Sequence, residues 1–329
     1  MVFRNFKLML GILILVLVVS GCGRVSEEES RVTLGQGMGV LNAPIFVTNK
    51  MNFWESQSLQ VNVRPFVAGR LALDSLIAGD IDIATIGDTP VVYGLFKHPN
   101  LRIIATVMES NRDEKVIARR DAGIDSPDDL KGKRIGVFFG TAGEYYTIRF
   151  IEAQGLSKED VSFINLKAPD MVAALSNGSI DAYVSWEPHV QNGLRALGDN
   201  AVVFVNPDIY TETWNLVTTV EFFNNSPETV RRVLRAVVRG VEYTNANRKE
   251  AIDITEEQLG LSRDVLDSIW DDYDFKVVLS ENLVTTLKNQ GEWIQASSDL
   301  SKGKSLPDYR QVIIDQPLRE ILPVAVSIP

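Results

Sequence analysis

The stretch LIAGDIDIATIGDTP, Leu76 to Pro90, is echoed by LSNGSIDAYVSWEP, Leu175 to Pro188. Both run Leu-x-x-Gly-x-Ile-Asp, then a short apolar run, an acidic residue and a proline. Each copy reads as a helix, a turn, a strand, a loop and a second helix. Leu73 and Leu76 of the first copy match Val172 and Leu175 of the second on a helical core face. Gly79 and Gly178 suit helix C-caps, where a positive φ costs glycine little. Asp82 and Asp181 open the strands and are expected to be structural. The informative parts are the ends, GDTP at 87–90 and WEP at 186–188. In open α/β sheets ligands bind beyond the carboxyl ends of the strands, where helix N-termini present free N–H groups. A chain that states this module twice is expected to build two similar lobes facing each other across a cleft.

The same alternation fills most of the chain. RVTLGQG, LQVNVRPF, LRIIATVM and VSFINL read as strands, and NAPIFVTNKM, GRLALDSLIAG and DMVAALSNG as helices. Such alternation implies parallel sheets with helices on both faces. The last third is helical. SPETVRRVLRAVVRGVEYTN has Ser226 as cap and Pro227 in the first turn, with Val230, Val233, Leu234, Val237, Val238 and Val241 on one face. At 329 residues, 45% of them hydrophobic, two domains with sizeable cores are expected. The balance of 33 basic against 43 acidic residues argues against nucleic acid as a partner, because phosphate binding needs basic surface.

The N-terminus reads as a targeting segment. Arg4 and Lys7 precede an apolar run from Leu8 to Val19, followed by Ser20-Gly21-Cys22. The run is too short for a membrane span, which needs about 20 residues, but suits a signal-peptide core. VVSGC resembles a bacterial lipobox, whose cysteine is lipidated and becomes the new N-terminus. Cys22 is the only cysteine, so an internal disulfide is impossible. The expected division is a lipoprotein signal peptide at 1–21 and a polar tether at 22–30, leaving the protein lipid-anchored on the extracytoplasmic side of the cell membrane.

The segments APIFVTNKMNFWESQSLQVNVRPFVAG, LIAGDIDIATIGDTP, DDLKGKRIGVFFGTAGEYY and ALSNGSIDAYVSWEPHV, in that order, resemble solute-binding proteins of nitrate/sulfonate/taurine ABC importers, the NMT1/THI5-like group. The resemblance implies an α/β, type II periplasmic-binding fold: two lobes, each with a central, mostly parallel sheet flanked by helices, joined by two crossing strands. The crossings are expected near 108–120 and 205–222, with lobe 1 at 31–115 plus 215–329 and lobe 2 at 116–214. It further implies capture of a small organic anion or zwitterion, sulfonate- or taurine-like, for an ABC permease and its ATPase, by a monomer without cofactor. A thiamine-pyrimidine precursor or an aromatic carboxylate is the alternative ligand.

By this resemblance the cleft loops are Gln36–Asn42, Ala68–Arg70, Gly87–Pro90, Gly140–Glu144 and Trp186–Pro188. The candidate ligand contacts in them are Gln36, Asn42, Gly69, Arg70, Asp88, Thr89, Thr141, Ala142, Glu144, Trp186 and Glu187. Thr89 and Thr141 offer hydroxyls beside helix N–H groups, which suits an anionic head; each is equally an ordinary helix cap. Asp88 has the same two readings. Arg70 either reaches a carboxylate or sulfonate bidentately or lies on the surface. Glu144 closes a capping box with Thr141 or meets a cationic group of the ligand. Trp186 walls the cleft or packs in the core, with Glu187 at the helix start. Tyr145, Tyr210 and Trp214 are weaker aromatic candidates.

An enzyme reading finds little support. His98 and His189 accompany no nucleophile elbow of the G-x-S-x-G type, and no HExxH, CxxC or EF-hand spacing marks a metal site. Same-fold enzymes of thiamine-pyrimidine biosynthesis carry a cysteine-rich motif, from which this chain departs.

Overall fold

The computed structural model describes residues 30–328. The expected signal peptide, Cys22 and all of the expected tether except Ser30 lie outside the described residues. The chain enters on β1 (Ser30–Gly37), turns through α1 (Ala43–Lys50) and returns along β2 (Leu59–Phe66). The first copy of the repeated module follows as α2 (Gly69–Ala78), β3 (Ile83–Gly87) and α3 (Asp88–Leu95), and leads into β4 (Leu101–Ser110). Residues 111–114 carry the chain to β5 (Lys115–Arg119), then β6 (Arg134–Val137), α4 (Ala142–Ala153) and β7 (Ser162–Asn165). The second copy is α5 (Ala168–Ser176), β8 (Ala182–Ser185) and α6 (His189–Leu197), followed by β9 (Ala201–Phe204). Residues 205–211 lead back to β10 (Glu212–Thr219). The remainder is α7 (Val220–Asn225), α8 (Pro227–Ala246), α9 (Arg248–Leu259), α10 (Arg263–Ile269), β11 (Asp274–Val278), α11 (Glu281–Ser297) and α12 (Gln316–Ile321).

Two sheets result. One is six-stranded in the order β11-β4-β10-β3-β1-β2, the other five-stranded in the order β7-β6-β8-β5-β9. The strand of each repeated module has the same neighbours. β3 lies between parallel β1 and antiparallel β10; β8 lies between parallel β6 and antiparallel β5. The sheets are therefore mixed rather than mostly parallel. The cause is the crossing. β5 and β10 arrive from the other sheet through short connections with no crossover helix, and parallel neighbours need such a crossover.

The repeated residues do matching work. Asp82 accepts from the backbone N–H of Thr33 on β1 at 2.7 Å, and Asp181 from that of Arg134 on β6 at 2.9 Å. Each aspartate thus pins the start of its strand to the parallel neighbour. Gly79 caps α2 at φ 79°, whereas α5 is capped by Asn177 and Gly178, at φ 77°, lies one residue beyond that cap. The predicted face of α8 is buried, apart from half-buried Val238. It crosses α1 closely at Gly240, where a Cβ would stand 1.9 Å from Thr48 Oγ1. Among the described residues, no helix is long and apolar enough to cross a membrane.

Candidate functional site

The carboxyl ends of β3 and β8 face one small cavity between the sheets. It holds about 30 Å³ of space, room for two or so water-sized groups. Every expected cleft loop contributes to its lining: Gly37, Met38, Gly39 and Leu41 from the first, Ala68–Arg70 from the second, then Gly87 and Pro90, Thr141 and Ala142, and Trp186. Two further contributors come from the crossing segments, Asp113 with Glu114 and Glu212 with Trp214.

Three glycines seat Trp214. A Cβ on Gly37 or Gly69 would stand 2.7 or 2.9 Å from the indole, and Gly87, which faces Trp214 in register, would approach it to 3.4 Å. The indole N–H donates to Asn42 Oδ1 at 3.0 Å, which fixes the ring. Trp186 lies against Gly39 and meets His189 edge-on at 5.7 Å. Burial holds the His189 imidazole down at about 4, so it is neutral at pH 7.

The acidic groups dominate the electrostatics. Asp113, Glu114 and Glu212 are all at most 4% exposed and bring carboxylate oxygens within 4.8 Å of one another. Asp113 accepts from Tyr273 Oη at 2.7 Å and lies within hydrogen-bond reach of Glu212, while no other group of the protein donates to its Oδ2 or to one oxygen each of Glu114 and Glu212. Two helix N-termini adjoin the cluster. Gly87, the N-cap of α3, stands beside Glu212 Oε1, and Gly143, in the first turn of α4, beside Glu114 Oε2. Such termini favour negative charge, so the protein's own carboxylates occupy the anion seats. Burial, then repulsion from neighbouring carboxylates, raises Glu114 and Glu212 well above the usual carboxylate range. Burial lifts Asp113 to about 6, opposed by Tyr273 and Lys115. Glu187, 1% exposed, is pushed up by burial to about 7; its Oε2 accepts from Gln191 N and its Oε1 is unpartnered.

Of the residues named from sequence, Gly69, Arg70, Thr141, Ala142 and Trp186 line the cavity. Thr141 spends its hydroxyl on Phe138 O at 2.7 Å. Arg70 reaches from α2 to the carbonyl of Phe139, with its guanidinium 5.6 Å from the Phe138 ring, and so bridges the two lobes. Glu144 lies outside the cavity and forms no capping box. Its Oε2 accepts from Gly140 N at 2.6 Å and from Tyr93 Oη at 3.1 Å, a second bridge. The box fails because Gly140, at φ 77°, turns its N–H toward Glu144 before the helix begins.

Gln36, Asn42, Asp88 and Thr89 are buried behind the lining rather than on it. Gln36 accepts from Asn49 and Asn42 from Trp214. Asp88 accepts from Tyr210, Thr213, Gln290 and the N–H of Thr89, and holds four segments together. Tyr145 and Tyr210 pack edge-on at 5.1 Å, away from the lining. Sequence reasoning missed Asp113, Glu114 and Glu212. The available signal was TETW, an acid and an indole two residues apart, hence on one face of a strand.

This geometry has relatives. A putative aliphatic sulfonates-binding protein of Bacillus subtilis (strain 168) is 24% identical over 276 residues, 79% of this chain and 81% of its own length. The taurine-binding periplasmic protein of Escherichia coli (strain K12) is 25% identical over 199 residues, 59% of this chain and 61% of that one. Among solved structures, the alkanesulfonate-binding protein SsuA of Xanthomonas axonopodis pv. citri, bound to MOPS, superposes with a TM-score of 0.76 at 18% identity, covering 88% of this chain and 99% of that one. That likeness establishes the fold. The NMT1/THI5-like family model matches residues 42–251, from the start of α1 into α9, and the chain belongs to the NMT1/THI5-like family.

Proposed function

We propose that this chain is an extracytoplasmic solute-binding protein, anchored through Cys22, that captures a small organic solute between its lobes and hands it to an ABC permease and its ATPase. The observation carrying this reading is the cavity at the carboxyl ends of β3 and β8, lined by both crossing segments, whose roughly 30 Å³ would widen as the lobes part to admit an organic solute. Sites on crossing segments let bound ligand act on lobe closure. The binding-protein relatives support capture rather than catalysis. Of the expected solute classes, a taurine-like zwitterion fits this lining better than a plain anion, since buried carboxylates oppose negative charge. The indole walls of Trp186 and Trp214 favour, as a second reading, a flat ring such as a thiamine-pyrimidine precursor.

The test is a melting screen of the purified protein against small sulfonates, zwitterions and vitamin precursors. A captured solute raises the melting temperature by mass action and is recovered chemically unchanged at one equivalent. Turnover of any stabilising solute would instead make the protein an enzyme.

A further inference from the structure

We infer that Asp113, Glu114 and Glu212, set beside the indoles of Trp186 and Trp214, form a subsite for a positively charged nitrogen of an organic ligand. The inference rests on the capture reading above and gives its ligand a charge. Three observations carry it. The first is the convergence of three carboxylates from two distant segments, with oxygens within 4.8 Å of one another. The second is the set of buried oxygens on these residues that no other protein group donates to, one on each. Acceptors removed from water are ordinarily hydrogen-bonded, and an ammonium offers three donors and no acceptor. The third is the surround. Trp186 and Trp214 line the same cavity with Met38, Leu41, Val67 and Pro90, and indole faces attract organic cations.

Among the described residues, neither Arg70 nor Lys115 fills this role. Arg70 is engaged with Phe139 O, and Lys115 pairs with Asp272 at 3.3 Å. Glu212 stands beside the α3 terminus through Oε1 and keeps its unpartnered Oε2 for a donor, whereas the unpartnered Oε2 of Glu114 is itself the oxygen beside Gly143. An anionic group elsewhere on the ligand falls to Arg70 at the cavity edge. The apolar walls select an organic cation over a bare metal ion.

The experiment compares probes that differ in one charge. Taurine is set against ethanesulfonate, and benzylammonium against benzyl alcohol, by titration calorimetry with the full-length protein. Calcium and zinc ions form a separate arm. The expected result is binding by the ammonium member of at least one pair, tighter by tenfold or more than its uncharged-end partner. Glu212→Gln and Glu114→Gln should each weaken that binding roughly ten- to a hundredfold, since a hydrogen bond to a charged group contributes ~1.5–3 kcal/mol. Neither variant should lower the melting temperature without ligand; should one fail to fold, the other carries the comparison. Taurine and benzylammonium binding no tighter than ethanesulfonate and benzyl alcohol, and equally to wild type and variants, would overturn the cation subsite while leaving solute capture intact. Binding of a metal ion alone, lost in both variants, would overturn it in favour of a metal site. If no probe binds, the capture reading and the subsite fall together.

Discussion

Glu144 shows how one carboxylate can serve closure rather than recognition. It accepts from Gly140 on its own lobe and from Tyr93 across the cleft. Burial raises its pKa, and Tyr93 is raised in turn by burial and by the Glu144 charge. Glu144→Ala removes both bonds and leaves the Gly140 N–H without its acceptor. Such losses amount to about 1–3 kcal/mol, so denaturant unfolding should show a drop of that size. Ligand affinity should fall less than it does for Glu212→Gln. An affinity loss as large as that of Glu212→Gln, with stability untouched, would place Glu144 at the ligand after all. Asp88 makes the complementary point. It has the position of a ligand-binding residue, yet its acceptor capacity is consumed by Tyr210, Thr213, Gln290 and Thr89.

Among elements, β10 and α8 show how glycine sets packing distance. Gly37→Ala would put a methyl group 2.7 Å from the Trp214 ring. Overpacking of this kind costs roughly 1–3 kcal/mol. Because the ring lines the cavity, a shift of it should also weaken ligand binding, with altered tryptophan fluorescence. Gly240→Ala is the control, since its methyl would meet Thr48 Oγ1 at 1.9 Å and Pro44 O at 2.8 Å, far from the cleft. Melting should register a loss there of the same order, with solute affinity unchanged in the folded fraction. These elements also show what the sequence discloses. The LxxGxID echo identified both modules, since strand and helix periods and glycine stops are local signals. The mixed strand directions and the acidic cluster were not legible. Asp113-Glu114 lies in SNRDEKV, inside the expected first crossing at 108–120, but no local signal marks the two carboxyl groups as buried; the packing of the two sheets does that. Asp88 and Arg70 were likewise located but not assigned, because their partners lie tens to hundreds of residues away.

For the molecule as a whole, the buried acids make stability depend on pH. A carboxyl group raised on folding contributes stability that is fully present below its unfolded value and is lost as pH rises through the folded one. Glu187, raised from 4.5 to about 7, should therefore withdraw about 3 kcal/mol across that interval. Asp113, raised from 3.8 to about 6, acts the same way at slightly lower pH. Asp88, Glu114 and Glu212 add to the trend, while Lys115, Tyr273 and Gln191 restrain it. His189 acts oppositely between about 4 and 6.5, because its imidazole is held down. Subtracting the pH profile of Glu187→Gln from that of wild type isolates the glutamate; a flat difference from pH 4.5 to 7 would contradict its burial. At the same scale, Cys22→Ala should release the protein from membranes or leave an uncleaved precursor, as fractionation would show.

The two crossing segments each carry part of the same charge cluster, Asp113 and Glu114 on one and Glu212 beside the other. Carboxyl groups on both struts between the lobes tie charge to lobe position. Burial favours their uncharged form, in which the Arg70 and Tyr93–Glu144 bridges hold; where they ionise, their repulsion would act like a loaded spring against those bridges. A cation arriving between them would discharge the spring, so the closed shape would report a loaded protein to whatever docks on it. The spring should also be removable without any ligand. With both glutamates replaced, Glu114→Gln together with Glu212→Gln, small-angle scattering at pH 8 should find the protein more compact than wild type. An equal radius of gyration for the two would mean that the lobes are held apart by something other than charge.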